Sequence, residues 1–521
     1  MNALAQAAIL LAVAAAANAY TWPSPQLDAL ESFRYDQLGF NGHFVYNFID
    51  PCTAASEGTP TGRSTAADWI RTAYHDMATH NVTAGTGGMD ASIRFAEEQA
   101  RPENVGDAFS NTLNQLLTQA NRYMSIADVL SVAAIAAIEN CGGPDIAFRG
   151  GRIDASEPNA PGVPQPQDDL PATVASFARQ GFTQTEMIGL VACGHTFGGV
   201  QHSFFPNTVP AGPNNTDVVS HFDTTYVTFD NNIATEYISG TTQNPLVVGA
   251  NDTTNSDGRI FGSDGNATMA AFAASADLYA STCADLIARM VDTVPDGVTL
   301  TEVITPLPVK PDQLVLSLTD DTLAVSGQVR FWNQTEEVPG IVVSFVDHAG
   351  EATNTTLAFK GLGSAKAGKY TSGWYAFGPI ALDAVAGLAS LKFDVGGVVE
   401  DQGGVGFAIA DTVVFSTTSC AVASGGWRLD VAVRTSVNVT RLYMEQISTD
   451  STNRVVVVET DIPAPAGPPV QPNAAYAIWS LALTDIADEF EAYDVAFEVD
   501  GGTKGFSPVV TWPGLGSFPP C

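Results

Sequence analysis

The stretch AADWIRTAYHDMATHN, residues 66–81, decides the reading of the first half of this chain. Its spacing predicts a helix, and within it Arg71 and His75 stand at i and i+4, so both side chains leave one face. Taken alone, the pair also suits a surface arginine beside a core or surface histidine. The neighbouring residues weigh against that reading. Asp76 comes directly after His75, and GTGGMDAS, residues 85–92, places Gly88, Asp90 and Ser92 in alternation. Two carboxylates, a hydroxyl and exposed carbonyls form an oxygen-rich nest of the kind calcium prefers.

A second histidine lies about 120 residues on, in LVACGHTFGGV, residues 190–200. The run is apolar up to Cys193, which places His195 at the buried C-terminal end of a helix. A lone buried histidine is usually a satisfied core residue. This one, however, is followed by HFDTTYVTFD, residues 221–230, in which Asp223, Thr225 and Asp230 fall at offsets 0, 2 and 7. Oxygen ligands at loop spacing beside a histidine thus occur twice.

Around these motifs the chain reads as two halves. From Leu27 to about Ile304 apolar residues recur at helical spacing between Gly, Pro and Asn clusters. TPLPVKP, Thr305 to Pro311, reads as a Pro-rich linker. Beyond it the period changes to two, in QLVLSLTDDTLAVSGQVRFW, GIVVSFVD and RVVVVETD, so residues 312–521 are expected to form an all-β sandwich region of one or two modules, with a break near Cys420. The expected fold is therefore a mostly α domain over 20–304 followed by an all-β sandwich region.

The chain has 521 residues, 22 basic and 56 acidic side chains, and a net charge of −34. That balance excludes a nucleic-acid binder working through a basic face. Residues up to 309 contain 11 Arg, 32 carboxylates and no Lys. Residues 1–19, MNALAQAAILLAVAAAANA, are apolar, uncharged and end in Ala-x-Ala, which reads as a signal peptide and implies secretion to the extracellular medium. A membrane anchor needs about 20 apolar residues with anchoring flanks, and the chain supplies Pro instead. Seven Asn-x-Thr sequons, at Asn81, Asn214, Asn251, Asn266, Asn333, Asn354 and Asn438, fit a secreted glycoprotein, and six cysteines permit disulfides without fixing their connectivity.

Over about Leu27 to Val303 the sequence resembles the plant and fungal haem peroxidase superfamily, nearest the secreted fungal class II enzymes. The resemblance rests on the Arg-x-x-aromatic-His-Asp motif at Arg71–Asp76, GGP and GGRID between Gly142 and Asp154, PQPQDDL at residues 164–170, and the histidine at 195 with its loop. It implies a haem b bound through the axial ligand His195, with Asp264 of GRIFGSDG as acceptor for the other imidazole nitrogen. It makes His75 the distal general base for hydrogen peroxide, oriented by Asn104 with Glu98 behind it, and Arg71 the group that stabilises charge as the O–O bond breaks. It also implies two calcium ions, a distal one on Asp76, Gly88, Asp90 and Ser92 and a proximal one on Thr196, Asp223, Thr225, Thr228 and Asp230. The implied activity is reduction of hydrogen peroxide via a ferryl intermediate, with oxidation of small phenol-like reductants at the haem edge.

The chain departs from the family pattern in several places. Tyr74 stands where class II enzymes have Phe, and its hydroxyl either bonds to bound oxygen or is oxidised, or the ring simply packs on the porphyrin. Phe222 takes the place of a redox-active Trp in cytochrome c peroxidase. The three carboxylates that hold manganous ion in manganese peroxidases correspond to Ser64, Asp68 and Gln201. The surface Trp of lignin peroxidases corresponds to Leu190, and the ascorbate-site Arg to Phe204. The cysteine framework is short, and the expected pairs are Cys420 with Cys521 and Cys52 with Cys141 or Cys283, leaving Cys193 as a buried thiol. An alternative reading is a haem-binding protein of low turnover that acts as a cell-wall or glycan-binding adhesin through its β region.

Overall fold

The helical half forms because its apolar residues recur every three to four positions, and the helices pack that stripe inward. A computed structural model describes residues 22, 24–56, 60, 62–484, 493–500, 502–506 and 512–521. The expected signal peptide lies outside these residues. The helices that build the site are α1 (Pro25–Tyr35), α2 (Thr65–Met77), α3 (Ala108–Leu116), α4 (Ile126–Asn140), α5 (Leu170–Arg179), α6 (Gln184–His195), α7 (Ser256–Phe261) and α8 (Ala276–Val291). The most apolar of them, α4, has fourteen of its fifteen residues buried and runs through the centre of the core. Among the described residues no helix is long and apolar enough to cross a membrane.

Among the described residues the β half is organised around one sheet of nine strands, one of which, Leu38–Gly39, comes from the helical half. Its central strands are β1 (Val309–Thr319), β2 (Thr322–Trp332), β3 (Tyr370–Asp383), β4 (Val413–Ser416) and β5 (Trp427–Arg434). A five-stranded sheet and a four-stranded sheet accompany it among the described residues. Two β cores result, and β4 and β5 serve both. Val414 and Ala432 belong to the first core, while Val413, Phe415, Val431 and Val433 belong to the second. Successive strand residues point to opposite faces, so a strand between two cores is apolar on both. The unbroken apolar run in TVVFS has this cause, and the two-module alternative corresponds to two cores on a shared sheet.

The Pro-rich segment 305–311 is not a free linker. Strand β1 has already begun at Val309, and Lys310 is fully buried. Its Nζ lies 3.0 Å from Glu31 Oε2 on α1, and Arg330 of β2 pairs with the same Glu31 and, at 2.6 Å, with Asp36. Burial alone pushes the Glu31 carboxyl up, but Arg330 and Lys310 outweigh this and hold it below the usual carboxylate range. A hairpin tip also docks on the end of α4. Lys366 N donates to Gln37 Oε1, Ala367 N donates to Asn140 Oδ1, and the Lys366 ammonium reaches Glu139 at 3.0 Å. Lysines absent from the helical half are thus supplied to it by the β half.

Three disulfides are present, Cys52–Cys141, Cys193–Cys283 and Cys420–Cys521. The first is one of the two pairs expected for Cys52. The second corrects the expectation of a free Cys193: α6 and α8 lie side by side and bring the two side chains into bonding distance, a long-range contact that helical periodicity does not reveal. The five β-region tryptophans mostly serve packing. Trp374 and Trp512 are buried, and Trp332 stacks on Tyr370.

Candidate active site

Helix α2 carries the first half of the site. It starts after Ser64, and ten of its thirteen residues, His75 among them, are buried, while Arg71 projects from the same face one turn earlier. His75 Nδ1–H donates to Asn104 Oδ1 at 2.7 Å, and Asn104 Nδ2 donates to the backbone carbonyl of Glu98 at 2.7 Å. The glutamate behind the asparagine therefore acts through its main chain. Its carboxylate instead accepts the backbone N–H of Asn159, and burial pushes it up to about 7.

This tautomer leaves His75 Nε2 as the free acceptor. Burial, then the charge of Arg71, pulls the imidazole down to about 3. Arg71 is also pulled down by burial, to about 10, and so keeps its charge at neutral pH. Its Nη2 donates to the Val105 carbonyl at 2.8 Å, and the guanidinium lies 4.7 Å from the centre of the Phe109 ring. The same ring is 4.9 Å from His75. Gly106 makes the approach possible, because its φ is +114° and a Cβ there would stand 3.1 Å from Arg71 Nη1.

Helix α6 carries the second half. A capping box between Thr183 and Glu186 sets its start, and it ends at His195. His195 Nδ1–H donates to Asp257 Oδ2 at 2.8 Å, and Asn244 Nδ2 donates to the same oxygen at 2.8 Å. This corrects the expectation for Asp264. That residue caps the next helix, accepting from Ala267 N, Thr268 N and Thr268 Oγ1, and it is partly exposed. SDG occurs twice, at 256–258 and 263–265, and only the first copy, on α7, faces His195. Phe222 stacks on the imidazole, with ring centres 4.1 Å apart and an interplanar angle of 12°.

The two helices that carry these histidines, α2 and α6, pack against each other. Each imidazole has its Nδ1 engaged by a fixed oxygen and its Nε2 left over. A haem fits this donor set: His195 Nε2 would ligate its iron, and His75 Nε2 and Arg71 would be left to act on a bound peroxide. Tyr74 stacks on Phe177 with ring centres 6.0 Å apart. Its buried hydroxyl lies beside Gln180, and burial pushes its pKa up.

The residues expected to bind calcium lie in two hydrogen-bonded loops. In the distal loop Asp76 accepts the backbone N–H groups of Asp90, Ala91 and Ile93, and the Gly88 carbonyl accepts from Asp90 N. Burial, then the neighbouring charge of Asp90, pushes Asp76 well above the carboxylate range. In the proximal loop Thr196 Oγ1 donates to the Asp230 carbonyl and Thr225 Oγ1 to Asp230 Oδ1, both at 3.0 Å, while Thr228 N donates to the Thr225 carbonyl. Asp223 Oδ2 is buried without a partner, and burial pushes this carboxyl up to about 7. Among the described residues no three His, Cys, Asp or Glu side chains converge as a metal cluster. Each loop instead offers two carboxylates with hydroxyls and carbonyls, a set that suits a hard cation.

Besides Asp257, sequence reasoning missed Phe109, Asn244 and Arg63. The Arg63 guanidinium holds both oxygens of Asp68 at 2.7 and 2.8 Å, Asp107 Oδ1 at 2.8 Å and Gln201 Oε1 at 2.6 Å. Asp68, at one of the three manganese-site positions, is thus a buried partner of Arg63. Helical spacing gives no sign of an arginine gathered in from the preceding loop.

Comparison with known proteins agrees with this geometry. A family profile described as Peroxidase matches residues 53–289. The chain is 37% identical over 327 residues to a WSC domain-containing protein of Arthroderma benhamiae, covering 62% of this chain and 44% of that protein. It is 33% identical over 138 residues to peroxisomal L-ascorbate peroxidase 5 of Arabidopsis thaliana, covering 26% and 49% of the two chains. Mitochondrial cytochrome c peroxidase of Cryptococcus neoformans is 33% identical over 153 residues, 28% of this chain and 39% of that one. The chain thus spans about half or less of the length of these three relatives. Residues 53–289 of the helical part thus match the peroxidase family, and the chain is similar to ascorbate and cytochrome c peroxidases.

Proposed function

We propose that the protein is a secreted haem peroxidase of the fungal class II type that reduces hydrogen peroxide and oxidises small phenol-like reductants. The observation that carries the reading is the pair Arg71 and His75, with His75 oriented by Asn104, set opposite a His195 oriented by Asp257. Bound at His195, the haem supplies the two oxidising equivalents that pass from peroxide to the reductant. The protein residues supply proton handling and charge. His75 Nε2, neutral at working pH, takes the proton from the near oxygen of hydrogen peroxide and returns it to the departing one. Arg71, held by the Val105 carbonyl and Phe109, stabilises the negative charge that develops on the departing oxygen. Asp257 keeps His195 in one tautomer and lends its imidazole anionic character. In each cycle one peroxide and two one-electron reductants, with two protons, give two waters and two oxidised reductants.

The surroundings of the site support phenol-like reductants. Asp68 and Gln201 are both held by the Arg63 guanidinium, whose positive charge opposes manganous ion at that place. Leu190 is buried, and Trp22 and Trp69, the two tryptophans before residue 309, are each 1% exposed, so neither offers a surface indole for long-range oxidation. Calcium on the two loops would fix the residues that follow His75 and His195. An absorption spectrum before and after one equivalent of hydrogen peroxide tests haem, ligation and reactivity together. Steady-state assays should then show turnover of a simple phenol and negligible saturable oxidation of manganous ion. Efficient manganese oxidation surviving Asp68→Ala would overturn the substrate assignment.

A further inference from the structure

We infer that Asn159 is a ligand of the distal calcium ion. This rests on the calcium reading of the Asp76–Ser92 loop and adds a residue that the family resemblance does not supply. Asn159 comes from a separate segment, between Asp154 and α5. Its Nδ2 lies 2.9 Å from Asp90 Oδ1, 2.9 Å from Asp90 Oδ2, 2.9 Å from Ser92 Oγ and 3.3 Å from Thr79 Oγ1. A carboxamide nitrogen has two protons and cannot serve four acceptors. Thr79 Oγ1 is committed as an acceptor there, since its own proton goes to the Asp76 carbonyl at 2.8 Å.

A half-turn of the terminal amide exchanges Nδ2 for Oδ1 and moves no other atom. The carboxamide oxygen then joins Asp90, Ser92 and Thr79 in an all-oxygen cluster, and a cation satisfies together the acceptors that two protons cannot. The four groups Asp76, Gly88, Asp90 and Ser92 are also few for an ion that takes about six to eight oxygens. The placement couples the ion to the acid–base residue. Asn159 N donates to the Glu98 carboxylate, the Glu98 carbonyl accepts from Asn104, and Asn104 accepts from His75. A shift of Asn159 on losing the ion therefore reaches the group that orients His75.

The test is calorimetric titration of the chelator-treated full chain with calcium chloride, using Asp90→Ala to identify the distal site. Asn159→Ala is expected to weaken that site by about tenfold or more and leave the proximal site unchanged, while Asn159→Asp restores binding. Parent affinity in Asn159→Ala would overturn the assignment. So would tighter binding, because the amide would then be standing in for the ion, and so would weaker binding by Asn159→Asp than by Asn159→Ala. A parent that takes up no calcium at the site lost in Asp90→Ala overturns the calcium reading itself, a result distinct from those three.

Discussion

Replacing Asp257 with Asn should raise the reduction potential of the haem-loaded protein, whereas Asp264→Asn should leave it unchanged. Asp257 is 1% exposed, and one of its oxygens accepts from both His195 Nδ1 and Asn244 Nδ2 at 2.8 Å. A hydrogen bond to a charged acceptor contributes about 1.5–3 kcal/mol and a neutral one about 0.5–1.5 kcal/mol, so neutralising the carboxylate removes about 1–1.5 kcal/mol. The carboxylate favours the ferric state, which carries one more positive charge than the ferrous state. If the whole difference is felt there, the potential rises by about 40–65 mV, since tenfold in an equilibrium constant is about 59 mV for one electron. The amide has a second consequence. Asp257 Oδ1 is buried without a hydrogen-bond partner, so an NH₂ in its place leaves donors unpaired and costs about 1–3 kcal/mol of stability. Spectroelectrochemical titration of the full chain, with thermal unfolding alongside, reads both effects. Equal potentials in Asp257→Asn and the parent, or a rise confined to Asp264→Asn, would refute the reasoning.

Three further outcomes are expected. His75→Ala should retain haem but slow the peroxide step by about 10² to 10⁴ in stopped-flow measurements. Because burial and Arg71 hold the His75 imidazole down to about 3, its proton-accepting form persists at mildly acidic pH, and the acid limb of the rate should lie near pH 3 and move upward in Arg71→Ala; a limb near the ordinary histidine value would contradict the burial argument. Chelating calcium should lower activity and shift the haem towards six-coordinate, low-spin iron as α2 relaxes and His75 approaches the metal, whereas fully active protein without calcium by metal analysis would rule the ions out. Arg330→Met removes a buried cation from Glu31 and Asp36 and should destabilise the chain by about 3–5 kcal/mol; an unfolding midpoint equal to that of the parent would show that the β half does not stabilise the helical half through this pair.

The sequence by itself determined the class of each half, because periods of about 3.6 and 2 are local properties that a one-sided burial stripe imposes on neighbouring residues. It also determined Arg71, His75 and His195 together with both oxygen-rich loops, since each of these signals lies within a dozen or so consecutive residues. The tertiary structure alone decided which of two identical SDG triplets meets His195: one faces the imidazole from α7, the other caps the following helix, and no local pattern separates them. It decided that Cys193 pairs with Cys283, ninety residues away, and that Asn159 and Arg63 enter clusters built by other segments. The segment 305–311 was legible as proline-rich, but the burial of its last residues, Val309 to Pro311, was not. What seats Lys310 is the Glu31 carboxylate, 279 positions back along the chain, and a partner brought by folding leaves no trace in the spacing of its neighbours.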